Sequence, residues 1–271
     1  MTKTFEKKTT QIFSIKRLVF DAVFAALTTV FYIFFKIEGK FIPIFPSFLD
    51  INFSMIPVII CAFMIGPWDA AICIIIRCLL KWLFVGSGTG YVGELADVLI
   101  GLAACIPAGL IYHKTNFKHK GLVALASVVV GWVVMGILSN LFINIPWYTA
   151  LYFKQNYYKT GVPDALVGMT SDAIKTITFG KVTITSANYM PTYILFAVIP
   201  FNLILSLGVV LITAPVHHRL KVLYDIVKIG PSRKNKEEAN ETYVKGLDEV
   251  ANDELKENDK SNDLSDKDIN E

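Results

Sequence analysis

The chain has 271 residues, 54% of them hydrophobic and only 18% charged, with a mean hydropathy of +0.50. A soluble domain carries about 25% charged residues. Here the charge is also segregated: residues 231–271 hold 7 Lys/Arg against 13 Asp/Glu, leaving 19 against 10 in residues 1–230. An apolar, basic body followed by a short acidic tail excludes an ordinary soluble enzyme, a disordered protein and a disulfide scaffold, and predicts an all-α polytopic membrane protein.

Residues 1–17 are too polar for the core of a cleavable signal, and the apolar run behind them is as long as a span. They are expected to be a cytoplasmic N-terminal segment. A first span is predicted at 18–35. Residues 37–52 carry Pro43 and Pro46, which forbids a regular helix and predicts an outer loop. A short apolar run at 55–65 ends at Gly66-Pro67-Trp68-Asp69, which reads as a tight turn with Asp69 as a candidate N-cap. A third span follows at 70–85, a glycine-rich turn at 86–90, and a fourth span at 92–112. The fifth covers 122–152 with a bend expected near Pro146, and the sixth covers 191–216. Between these two lies a polar outer insert, 154–190. The membrane domain is thus 18–220 in six spans, and 221–271 reads as a cytoplasmic, acidic, disordered tail. Lysines and arginines flanking the spans favour both termini inside the cell membrane.

Ionisable groups at membrane depth are costly, so they face protein or a wet cavity. Arg77 and Lys81 share one face of the third span at spacing i, i+4, and Glu94 and Asp97 share one face of the fourth at i, i+3. Joined by a glycine-rich turn, the pairs can meet, as a structural salt-bridge cluster, as the polar wall of a ligand pocket, or as both. Asn140 and Asn202 are lone amides in apolar runs. Either could read the edge of a heterocycle or bond a neighbouring helix. Trp82, beside Lys81, could stack on a flat ligand. Ala22 and Ala26 lie one helical turn apart and allow close approach of another helix. His217-His218 reads as a favourable helix C-terminal charge. Cys61, Cys73, Cys78 and Cys105 all lie in apolar runs and read as buried thiols. No metal-ligand spacing, P-loop, HExxH or Ser/His/Asp arrangement is visible, and no basic-aromatic surface for nucleic acid.

Three stretches together carry a family resemblance. They are Phe53-Ser54-Met55-Ile56-Pro57 with Gly66-Pro67; Gly86-Ser87-Gly88-Thr89-Gly90 running into Gly93-Glu94-Leu95-Ala96-Asp97; and Ile199-Pro200-Phe201-Asn202-Leu203. In this order, behind Ala22 and Ala26, the chain resembles the substrate-binding S component of an energy-coupling factor (ECF) vitamin transporter, most of all the riboflavin-binding type. The resemblance covers about residues 15–220. It implies a six-helix membrane bundle and a vitamin pocket near the outer face, closed by the 37–52 loop. Asn140, Asn202, Glu94, Asp97, Lys81, Thr89 and Phe53 become the candidate substrate-binding residues. Ala22 and Ala26 become the docking surface for a transmembrane coupling subunit, which carries two ATPase subunits. ATP would be bound by those partners only, and riboflavin would be cargo, not cofactor. The sequence departs from the riboflavin type at Leu205, where that type has a lysine, at Asp97, where it has an amide, and at Met55, where it has an acid. Folate, a nicotinic-acid-type ring or another precursor therefore stays open as the vitamin. A stand-alone transporter, a purely structural assembly subunit and an intramembrane enzyme with Glu94 or Asp97 as base are the competing classes.

Overall fold

The computed structural model describes residues 15–87, 90–116 and 118–227. Helix α1 (Ile15–Phe34) leads into a loop tied by a two-residue antiparallel ladder, β1 (Lys36–Ile37) with β2 (Ile51–Asn52). Helix α2 (Met55–Met64) is only 10 residues long and buried at every position. Helices α1, α3 (Pro67–Val85) and α4 (Val92–Lys114) pack around it. A helix sheltered by protein on all sides has no need of membrane length.

Arg17 forks onto Asp69, with Nε to Oδ1 and Nη2 to Oδ2 both at 2.6 Å. Asp69 is therefore not the N-cap. Gly66 takes that position, Pro67 opens α3, and Asp69 lies in the first turn, where its charge suits the helix dipole and α1 supplies its partner. The turn between α2 and α3 is thus clamped to the start of α1.

Helix α5 (Lys120–Ser139) packs along α4 and continues through a π-helical turn (Asn140–Asn144) into α6 (Ile145–Phe153). The continuous rod has 34 residues. At 1.5 Å per residue that is about 50 Å, more than a hydrocarbon core of roughly 30 Å. The polar 154–190 insert is partly helical. It contains α7 (Tyr157–Thr160) and α8 (Asp164–Ile177). The buried face of α8, Leu166, Thr170, Ala173 and Ile174, follows helical spacing. Leu166 and Ile174 join Ile145, Tyr189 and Tyr193 in a hydrophobic cluster. Helix α9 (Tyr189–Tyr193), a second π-helical turn (Ile194–Val198) and α10 (Ile199–Val227) complete the described residues.

Four helical stretches are long and apolar enough to cross a membrane: 17–34, 92–114, 120–153 and 189–216. Helix α3 has membrane length but carries Asp69, Arg77 and Lys81. With α2 these make the six expected rods. All four cysteines are buried and free. Contacts divide the chain into two units, Met1–Val222, which holds this bundle, and Leu223–Glu271, of which the described part is the end of α10.

At Gly131 on α5 a methyl group would collide with the backbone of Ala103 on α4. Gly131→Ala should therefore force the two helices apart and cost about 1–3 kcal/mol, the usual effect of overpacking, read as a lowered thermal midpoint of the detergent-solubilised protein.

Candidate functional site

The charged wall is built by the α3–α4 hairpin. Arg77, Lys81, Glu94 and Asp97 meet there as their spacing requires: Arg77 pairs with Asp97, and Lys81 pairs with Glu94. Arg77 is 0% exposed. Its Nη1 donates to Ser54 Oγ at 2.5 Å, and its guanidinium lies 4.7 Å from the centre of the Tyr32 ring. Ser54 in turn donates to Asn52 Oδ1 at 2.6 Å, at the end of the outer loop. A single buried cation thus touches α1, α4 and the start of α2. Glu94 also accepts from Ser87 Oγ at 2.9 Å.

The opposite wall is built by α5–α6 and α10. Each carries a π-helical turn ending two residues before a proline, Pro146 or Pro200. A helical proline lacks its N–H and clashes with the preceding turn; a widened turn relieves both. The bend expected near Pro146 takes this form. Asn140 opens the first widened turn, and Asn202 stands two residues beyond Pro200. Asn140 donates from Nδ2 to Gly136 O at 2.8 Å and accepts from the Tyr193 hydroxyl at 3.0 Å. Asn202 donates from Nδ2 to Val198 O at 2.8 Å. At Gly136 any Cβ would fall 2.7 Å from Asn202 Cγ, so only glycine lets this amide lie against α5. Each amide keeps one N–H in reserve.

Between the two walls is a cavity of about 430 Å³. Lys81, Glu94, Asp97, Asn140 and Asn202 all line it. Phe53 does not; its segment instead places Ser54 against Arg77. Thr89 lies outside the described residues, as do the side chains of His217 and His218. Trp82 is exposed and bonds the Tyr91 hydroxyl at 3.1 Å, away from the cavity; the tryptophan in the lining is the buried Trp132. Tyr32, Tyr148 and Phe201 supply further aromatic surface, and Asn144 a third amide, whose Oδ1 is buried without a partner. Asn144 had a readable signal, since it stands four residues after Asn140. The aromatics had none, because apolar runs are full of them.

The loop between α1 and α2 lines one side of the cavity with Lys36, Glu38, Lys40, Ser47, Phe48, Leu49, Asp50 and Asn52. Lys36 bridges to Asp50 at 2.7 Å, and Asp50 Oδ1 accepts the Gly39 N–H at 2.9 Å. Phe45 is buried edge-on to Phe201, 5.2 Å between ring centres. Phe48 packs 6.0 Å from Tyr193 and 6.4 Å from Tyr148. Within this loop, Lys40 pairs with Glu38, whose exposed carboxyl this bond holds below the usual range.

A helical membrane bundle with a cavity of mixed polarity between its walls is a membrane protein that can hold a small solute. Residues 16–217 match the family described as "ECF transporter, substrate-specific component", and the chain belongs to that family. It is similar to the riboflavin transporter FmnP of Bacillus subtilis (strain 168), 30% identical over 139 residues, covering 50% of this chain and 70% of that protein. The riboflavin transporter RibU of Staphylococcus aureus (strain TCH60) is also 30% identical, covering 51% and 69%. RibU of Lactococcus lactis subsp. cremoris (strain NZ9000) is 27% identical over 192 residues, covering 69% and 84%. A solved structure reported under "Structure and mechanism of the S component of a bacterial ECF transporter" shares the fold, with a TM-score of 0.53 at 23% identity, covering 77% of this chain and 97% of that one. The chain is therefore a substrate-specific membrane subunit of a transporter with other components.

Removing Arg77 alone would leave Asp97 as an unpaired charge in the bundle. Arg77→Met should destabilise the protein by about 3–5 kcal/mol, and Arg77→Met with Asp97→Leu should recover much of that loss. Thermal unfolding of the purified single and double variants checks the order.

Proposed function

We propose that this chain captures riboflavin or a closely related flavin at the outer face of the cell membrane, as the substrate-binding subunit of an ATP-driven ECF uptake transporter. One observation carries the reading. A single cavity combines aromatic surface with three amides that retain hydrogen-bonding capacity, in a family whose similar relatives include riboflavin transporters. A flavin ring has broad apolar faces and a polar edge of alternating donors and acceptors. Trp132, Tyr148 and Phe201 suit the faces. Asn140, Asn144 and Asn202, each with donor or acceptor capacity to spare, suit the edge. Lys81, Glu94 and Asp97 form the polar wall. Phe53 contributes to support of the hinge of the 37–52 loop instead of to ligand contact.

The 37–52 loop acts as a lid and closes on the cavity through Phe45 and Phe48, whose contacts are apolar. Such contacts separate and re-form without stranding a charge, which suits a gate. ATP binding falls to two ATPase subunits held by a transmembrane coupling subunit, because this sequence has no nucleotide motif. Ala22 and Ala26 are both exposed on α1, in a stripe with Leu18 and Val30. Small side chains there let a partner helix approach closely, which supports docking of the coupling subunit. The basic flanks of the spans support cytoplasmic termini.

Two experiments test this. Riboflavin should quench the tryptophan fluorescence of the purified chain without any partner or ATP, and Asn202→Ala should weaken that binding by about 1–3 kcal/mol; an unchanged dissociation constant removes Asn202 from the site. Ala22→Leu with Ala26→Leu should abolish co-purification with the coupling subunit while riboflavin still quenches. Intact assembly would count against docking on α1.

A further inference from the structure

We infer that the tip of the 154–190 insert is an anchor to the lipid–water interface, with the ring of Phe179 among the phospholipid headgroups and Lys175 and Lys181 on anionic ones. The inference is independent of the ligand. Phe179 is 90% exposed, more than any other large hydrophobic side chain among the described residues. Its backbone also lies in the left-handed region, at φ +54°. It stands just past the end of α8, a place that glycine usually fills because a side chain there crowds the backbone.

The turn itself is fully built. The Phe179 N–H donates to Thr176 O at 3.4 Å, and the Gly180 N–H donates to Lys175 O at 2.8 Å. The Thr178 hydroxyl donates to Ile174 O at 2.7 Å and accepts the Val182 N–H at 3.3 Å. Ile174 before the tip and Ile184 after it are buried in one cluster with Tyr189 and Tyr193. An apolar contact between the residue after the left-handed one and the last helical turn often closes such a motif. Here that residue is Gly180, which has no side chain to offer. A firmly held turn thus carries a strained residue whose ring the fold does not use.

The surroundings point to lipid. The insert joins two stretches long and apolar enough to cross a membrane, 120–153 and 189–216, and its cluster includes Ile145 of the first and Tyr193 of the second. Lys175 and Lys181 are exposed on either side of the ring, and no Asp or Glu stands between Asp172 and Asp225. This local positive charge complements anionic headgroups. An aromatic ring at headgroup level, with lysine stems lying along apolar surface and their ammonium groups reaching outward, is an interfacial anchor. A protein partner would call for a wider apolar patch, whereas Phe179 is the one exposed large hydrophobic residue between Met169 and Leu195. Gripping the interface at this point would fix the depth and tilt of the two rods that the insert joins.

The test is Phe179→Trp in the full-length chain, reconstituted in nanodiscs of brominated or unbrominated phospholipid, with the unaltered chain as the baseline for its four native tryptophans. A circular-dichroism spectrum matching that of the unaltered chain confirms folding. The added emission should be lost in brominated discs and shielded from aqueous iodide. Anionic phospholipid should deepen the loss relative to phosphatidylcholine, and Lys175→Gln with Lys181→Gln should remove that gain. Added emission that iodide quenches and bromine does not places the ring in water and overturns the inference. Shielding from both quenchers means that protein covers the ring, and overturns it equally. Bromine quenching that is the same in both lipids overturns the role given to the lysines.

Discussion

A guanidinium with no exposed surface governs how this bundle can be arranged. In an apolar helical environment the charge of Arg77 must be met from within the protein. Asp97 on α4 supplies the counter-charge, Ser54 before α2 supplies an acceptor, and Tyr32 on α1 supplies an aromatic face. Four chain segments are brought to one point by a single side chain. Because Ser54 also holds Asn52, the end of the outer loop inherits its position from the same cation. The second pair, Lys81 with Glu94, stands one turn further along α3 and carries the wall up to the cavity.

The facing wall follows another logic. Pro146 in α6 and Pro200 in α10 each lack an N–H and crowd the turn before them, and each is preceded by a widened turn. Those turns bring amide groups to the cavity on rods otherwise made of hydrocarbon. Gly136 then removes the side chain that would keep Asn202 away from α5. The site is rigid where charges and amides are tied into helices. The outer loop, by contrast, is seated by aromatic contacts that carry little directional energy.

Much of the charged wall was legible from spacing alone. Residues at i, i+4 and i, i+3 on two helices joined by a short glycine turn have few places to go except towards one another. Asn140 and Asn202 were legible because a lone amide in an apolar run is conspicuous. Trp132 and Tyr148 were not, since an aromatic residue in a membrane helix faces lipid, core or cavity with the same local pattern. Trp82 shows the converse: its neighbour Lys81 suggested a ligand, while its own helical angle turns it outward to Tyr91. Asp69 read as a cap because a cap is a local device; its true partner, Arg17, lies 52 residues away in sequence. The insert between α6 and α9 read as polar because α8 buries only one face.

The amino-acid sequence by itself determined the solvent of this protein, the number of its rods and the pairs of charges that had to meet. Hydrophobic run length and helical periodicity are local properties, and the cost of an unpaired charge in lipid does not depend on which fold resolves it. Only the tertiary structure decided which aromatic residues surround the cavity, which side chain Asp69 receives, and that every cavity lysine is already matched by an acid. Those outcomes depend on the rotation of each helix about its own axis and on contacts between distant segments, and neither is written in any local stretch of the chain.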